Sequence, residues 1–207
     1  GNGEVLALGD SSIDIALSNE VIADFYTPEV NTSEVKDFLF DQGIPMTEEF
    51  FHWYKDAPEK VRVNLGAFML LKELYRVLKP SGLALLTEYG YQDRLPFRAR
   101  HLDHPEYTIQ FGQMISVATA MGFSVRLTDA FDFLGFRGDV KLMAHFSFQA
   151  AFRIMEHHNI YLPNITYTED LFKKQLGKRA ENFTGLMFVE PQKGPFKIVK
   201  ILLCEKL

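Results

Sequence analysis

The sequence predicts an α/β fold built on a mostly parallel sheet, and three observations carry the prediction. Helical and strand-like segments alternate along the chain, the order that lays strands side by side with crossover helices between them. The candidate strand Leu83–Thr87, "LALLT", is apolar at nearly every position, so both of its faces are expected to be covered, as in the middle of a parallel sheet. The segment before it, Val61–Leu78, carries Leu65, Phe68, Leu71, Tyr75 and Leu78 at helical spacing, and Pro80 and Gly82 supply the stop.

The remaining elements follow in order. Asp10-Ser11-Ser12 is turn chemistry ahead of "IDIALS" (Ile13–Ser18), a compact apolar strand. Residues 27–45 are polar with weak periodicity and read as loop or short helix, and Met46–Tyr54 reads as a helix. Residues 91–106 are expected to form a loop bearing Arg94, Arg98, Arg100, His101 and His104. Tyr107–Met121 is predicted helical and ended by Gly122; "FSVRLTDAF" then alternates as a strand. A Phe- and Met-rich helix is expected from about Val140 to His158, and a short one over Thr168–Lys178 with Thr168 as its cap. The chain finishes on "FKIVKILLCEKL", a long strand, which is expected to pair with the preceding one as an antiparallel edge hairpin. The whole of 1–207 reads as a single domain. The excursion over 132–190, including "AHFSFQAAFRIM" (Ala144–Met155), is either a helical lid or ordinary core.

Composition narrows the class. Of 207 residues, 47% are hydrophobic and 24% charged, ordinary for a globular protein. A net charge of −5 argues against a general nucleic-acid binder, which needs a basic face. Cys204 is the one cysteine, so no internal disulfide framework exists and a reducing, cytoplasmic setting is expected. The longest nearly apolar run, "LGAFMLL" (Leu65–Leu71), is too short to span a bilayer. The six histidines show no metal-ligand spacing: His101 and His104 lie in a predicted loop, and the adjacent His157 and His158 point to different helix faces.

The stretch "LYRVLKPSGLALLTEYG" (Leu74–Gly90) resembles the helix–turn–strand signature before the fifth strand of class I S-adenosylmethionine-dependent methyltransferases. Arg76, Val77, Leu78, Lys79, Pro80 and Gly82 match, with Ser81 in place of the first glycine. "SSIDIALSNEVIADF" similarly resembles that superfamily's fourth strand, with Asp14 where a loop-ending aspartate is expected. Asn19-Glu20 followed by Asp24, Glu88-Tyr89-Gly90 and the closing "GPFKIVKI" resemble the MidA-like group, which includes mitochondrial complex I assembly methyltransferases. The resemblance implies a partial Rossmann-like sheet, equivalent to the fourth to seventh strands. It further implies S-adenosylmethionine as cofactor and a protein arginine or small-molecule methyl acceptor.

There are two departures. "YTIQF" (Tyr107–Phe111) offers Thr108 and Gln110 where the group has a His- and Asp-containing segment. Only "GNG" (Gly1–Gly3) precedes the fourth-strand equivalent, where a glycine-rich loop following a strand is expected, so the N-terminal glycine-rich half is missing from the match.

Ligands of open α/β sheets sit beyond the carboxyl ends of the strands, so the candidate site lies at two adjacent strand tips. Glu20 and Glu88 are the candidate catalytic carboxylates, able to clamp a guanidinium or to take a proton from a neutral acceptor. By the same placement Ser18 and Asn19 are candidate cofactor contacts, and Asp24 and Tyr89 candidate substrate contacts. Each has a plainer reading: Asn19 and Glu20 as a helix cap, Glu88 as an exposed strand-end acid, Asp24 as a helix-surface residue, Tyr89 as a packing aromatic. Arg94, Arg98 and Arg100 could hold an acidic substrate or be a solvated loop. Two functions follow: a methyltransferase, or a methyltransferase-like module that binds or assembles without catalysis. In the superfamily's usual strand order the first strand lies beside the fourth. Without it "IDIALS" becomes an open apolar edge, and a homodimer is expected.

Overall fold

The structure, a computed structural model, describes residues 6–101, 104–135, 140–162, 168–190 and 198–207. In chain order its elements are β1 (Ile13–Asn19), β2 (Glu29–Asn31), α1 (Val35–Asp41), β3 (Lys60–Arg62), α2 (Leu65–Val77), β4 (Leu78–Tyr91), β5 (Arg98–His101), β6 (His104–Tyr107), β7 (Ile109–Gln110) and α3 (Phe111–Met121). Then come β8 (Phe123–Asp129), α4 (Ala130–Phe133), β9 (Leu142–Met143), α5 (His145–His157), α6 (Glu169–Leu176), β10 (Phe188–Val189) and β11 (Val199–Lys206). The chain divides into two compact units, Gly1–Ala130 with Ile198–Leu207, and Phe131–Lys197.

The first unit is a mixed α/β layer around a sheet of order β1-β4-β11-β8. β1 and β4 run parallel, with Ala16 opposite Ala84 and Asn19 opposite Thr87. β11 runs antiparallel to both neighbours, Leu202 facing Leu86 on one side and Leu127 on the other. The expected antiparallel hairpin therefore forms, with β11 inside and β8 at the rim. Side chains explain that order: Ile201, Leu202 and Cys204 are buried and need neighbours on both sides, whereas β8 exposes Ser124 and Arg126.

One sheet face meets α2 and α3. Ala84, Leu86, Leu202 and Cys204 pack there with Phe68, Leu71, Phe111, Met114 and Val117, all at or near zero exposure. The opposite face differs from the sequence expectation. Leu83, Leu85 and Thr87 are only half-buried, and Ile15 and Leu17 of β1 are 64% and 76% exposed. "LALLT" is thus apolar on both faces, one buried and the other half-buried.

Several boundaries moved for identifiable reasons. The predicted helix from Val61 begins at Leu65, because Lys60–Arg62 pairs antiparallel with β2 and Val61 faces Val30. Met46–Tyr54 is a 3-10 helix over Glu48–Tyr54. The predicted loop 91–106 contains the β5–β6 hairpin, and α3 starts at Phe111, where Gln110 Oε1 accepts from the Gln113 amide at 2.6 Å. Gly122 ends α3 in the left-handed conformation (φ 101°), as its place in the sequence predicts.

The Pro-Ser-Gly turn works through Ser81 at φ 60° and Gly82, where an added Cβ would lie 2.8 Å from the Lys79 carbonyl and 3.2 Å from that of Asp14. Arg76 of the signature anchors the approach to β1: it donates to the carbonyls of Leu6 and Leu8, to Asp10 and to Glu73. Asp14 pairs with Lys79 at 2.9 Å on the surface.

The second unit has its own small core, in which Met143, Ala151, Met155, Phe172, Leu176 and Phe183 are buried. β9 and β10 pair antiparallel, Met143 opposite Phe188. In the Phe/Met-rich segment Ala151 and Met155 belong to this core, while Phe146 and Phe152 are exposed. Thr168 stands at the N-cap position of α6, but its buried hydroxyl has no hydrogen-bond partner among the described residues. Among the described residues no helix is long and apolar enough to cross a membrane.

Candidate functional site at the β1 and β4 tips

Parallel pairing brings the carboxyl ends of β1 and β4 together, and the chain leaves β1 through a left-handed residue. Glu20 has φ 51°, unusual for a residue with a Cβ, while its amide still donates to the Thr87 carbonyl at 2.8 Å. Its side chain is exposed. Ser18 is half-buried and Asn19 exposed on the same tip. A 3-10 turn, Ile22–Asp24, follows at once and buries Ile22 and Ala23.

Glu88 faces that turn. Its Oε2 accepts from the amides of Ile22 and Ala23 at 2.9 and 3.1 Å, and its Oε1 accepts from the Tyr89 amide at 2.9 Å. The side chain is 1% exposed. Burial pushes its carboxyl above the ordinary carboxylate range; the three amides oppose that shift and the negative charge of Glu20 adds to it. The acid at the end of β4 thus satisfies amide donors of a tight turn that would otherwise be buried unpaired.

The next two residues complete the motif. The Tyr89 hydroxyl donates to Glu106 Oε2 at 2.8 Å. Its ionisation is pushed up, first by burial and then by Glu106, Glu88 and Asp24, so it remains a donor. At Gly90 an added Cβ would meet the Ile109 carbonyl oxygen at 2.1 Å, so only glycine lets β7 pair here. Glu20, Asp24, Tyr89, Glu88 and Glu106 therefore form one electrostatically coupled group.

Glu106, 4% exposed, is the member that sequence reasoning missed. The alternation of Arg98–His101 against His104–Tyr107 was the available signal, since hairpin pairing sets Glu106 opposite Ala99. Thr108 and Gln110 are structural: Thr108 Oγ1 accepts from the Phe97 amide, and Gln110 caps α3 while its own amide donates to Asn64. Arg94 is exposed and stacks over Tyr91 at 4.7 Å; Arg98 is exposed on β5. The side chains of Arg100, His101 and His104, and the Gly1–Gly3 stretch, lie outside the described residues. Among the described residues no group of histidine, cysteine or acidic side chains is arranged to hold a metal ion. Cys204 is buried in β11, which pushes its thiol up to about 12 and leaves it inert.

No protein-family model matches the sequence, and no curated protein matches it. Among solved structures the chain is similar to the (4+2)-cyclase SpnF, with 15% identity and a TM-score of 0.41 over all of this chain and 54% of that one. It is also similar to a SAM-dependent methyltransferase from Methanosarcina mazei, with 13% identity and a TM-score of 0.39 over all of this chain and 65% of that one. The chain thus spans between half and two thirds of the length of these two proteins.

Proposed function

We propose that this chain is the acceptor-side part of an S-adenosylmethionine-dependent methyltransferase whose acceptor is a protein arginine. One observation carries the proposal. Two adjacent parallel strand tips present the Glu20, Glu88 and Tyr89 group with Asp24 and Glu106, at the rim where open α/β sheets take their ligands. The signature Leu74–Gly90 supports the same reading: Glu88 and Gly90 shape this rim, while Arg76 and Gly82 hold the opposite ends of β1 and β4.

The donor set is anionic, so it fits cationic groups: the charged end of the cofactor and a guanidinium. Ser18 and Asn19 are the residues that would hold the cofactor, which when bound supplies an electrophilic methyl group. Among the described residues there is no glycine-rich strand-to-helix turn for its adenosine, so the fit is to the charged end.

The protein's own contributions are positional. Glu88, locked by three amides, fixes the turn that carries Asp24. Glu106 fixes the Tyr89 hydroxyl. Glu20, exposed and held by its left-handed backbone, offers both carboxylate oxygens to a guanidinium in a bidentate contact. Alignment of this kind is the main requirement of an in-line methyl transfer.

The test is transfer of labelled methyl from S-adenosylmethionine to arginine-containing peptides. Glu20→Gln is expected to lower kcat/KM about tenfold to a hundredfold, the value of a charge-assisted hydrogen bond. The burial of Glu88 favours a second reading, a methyltransferase-like module that binds or assembles without catalysis. Cofactor binding with no transfer to any arginine peptide would select it.

A further inference from the structure

The net charge of the chain is −5, and all of it falls on one short segment. Residues 34–59 hold seven carboxylates, Glu34, Asp37, Asp41, Glu48, Glu49, Asp56 and Glu59, against Lys36 and Lys55; over the rest of the sequence acids and bases balance. The same segment builds the apolar groove of the first unit. α1 buries Leu39 but leaves Phe40 77% exposed, and Gly43, at φ 63°, turns the chain so that Ile44 and Met46 return beside it. The 3-10 helix after them buries Phe50 and stacks Phe51 edge-on against it at 5.3 Å.

A cavity of about 650 Å³ lies between these elements, lined by Phe40, Ile44, Met46 and Phe51 together with Lys36, Asp37 and Glu48. Phe51 and Glu48 also line a second cavity of about 500 Å³ that runs on past Glu49 to Trp53. The two share Phe51 and Glu48 and form one groove, whose apolar side chains are flanked by the carboxylates of Asp37, Glu48 and Glu49 and by Lys36 and Lys55. No ion pair among the described residues engages Asp37, Asp41, Glu48 or Glu49. The Thr47 hydroxyl holds Glu49 below the usual carboxylate range, so it is charged.

We infer that this groove docks a basic amphipathic segment of a partner protein. An exposed phenylalanine beside a half-buried one offers anchor sites for apolar residues at helical spacing. The carboxylate rim matches flanking Lys or Arg, and Trp53 and Phe40 offer ring faces to the same cations. A second copy of this chain is disfavoured here, since a two-fold contact would press the acidic rim against itself. The inference stands independently of the proposed methyl transfer.

Trp53 is the only tryptophan, so its emission reads the groove directly. The probe is a synthetic helix of leucine and lysine, about 18 residues or five turns long, without aromatic residues. The expected result is a saturable change in Trp53 emission that weakens with salt. Phe40→Ser is expected to weaken binding about tenfold. Phe146→Ser, at a comparably exposed site in the second unit, should leave it unchanged. Equal binding by a leucine–glutamate helix, equal binding by a serine–lysine peptide, or an unaltered Phe40→Ser titration would overturn the inference. So would no response at millimolar peptide, or a concentration-dependent Trp53 change without peptide, which would mean that a second copy fills the groove.

Discussion

Glu88 shows how a residue type can be read correctly and its surroundings missed. The sequence places an acid at the tip of a central strand; the structure turns that acid inward onto the amides of Ile22 and Ala23. Nothing local to Glu88 announces this, because the donors lie more than sixty residues earlier and meet it only through the β1–β4 register. The burial has a consequence for pH. The folded chain holds the Glu88 proton more tightly than the unfolded chain does, so its contribution to stability is fully present below the ordinary value of 4.5 and is lost as pH rises through its higher folded value. Glu88→Gln lacks this titration. Urea midpoints taken across that range should show the unsubstituted chain losing ground to the variant as pH rises. Parallel curves would mean that the three amides balance burial, and contradict the shift.

At the scale of elements, β1 is the exposed member. Its inner edge is paired with β4, with one irregularity between Ile13 and Ile15, and among the described residues its outer edge pairs with nothing. Ile15 and Leu17 stand exposed on the sheet face opposite α2 and α3. Unpaired backbone donors and acceptors flanked by apolar side chains are a template for another strand. The 207-residue chain is therefore expected to dimerise through β1, with light scattering giving the mass of two chains. Leu17→Lys, a substitution at a 76% exposed site, should return it to one chain without unfolding it. A monodisperse monomer before any substitution would contradict this.

Across the whole molecule, legibility followed the strength of local patterning. The sheet strands, α2, α3 and the Gly122 stop could be read because periodicity and glycine chemistry speak within a dozen residues. The short β2–β3 pair could not, since Lys60–Arg62 becomes a strand only by meeting the distant Glu29–Asn31, and the local β5–β6 hairpin is polar enough to read as a loop. The loop reading of that hairpin hid Glu106 from the candidate site while Glu20, Glu88 and Tyr89 were in view. The exposed face of "LALLT" is the opposite case, an apolar pattern that the described residues leave half covered.

The central claim is that the acidic strand tips belong to a cofactor-using site, and calorimetric titration of the 207-residue chain with S-adenosylmethionine tests it most directly. The account predicts saturable binding of one cofactor per chain, weakened by Asn19→Ala. No heat at millimolar cofactor would contradict it.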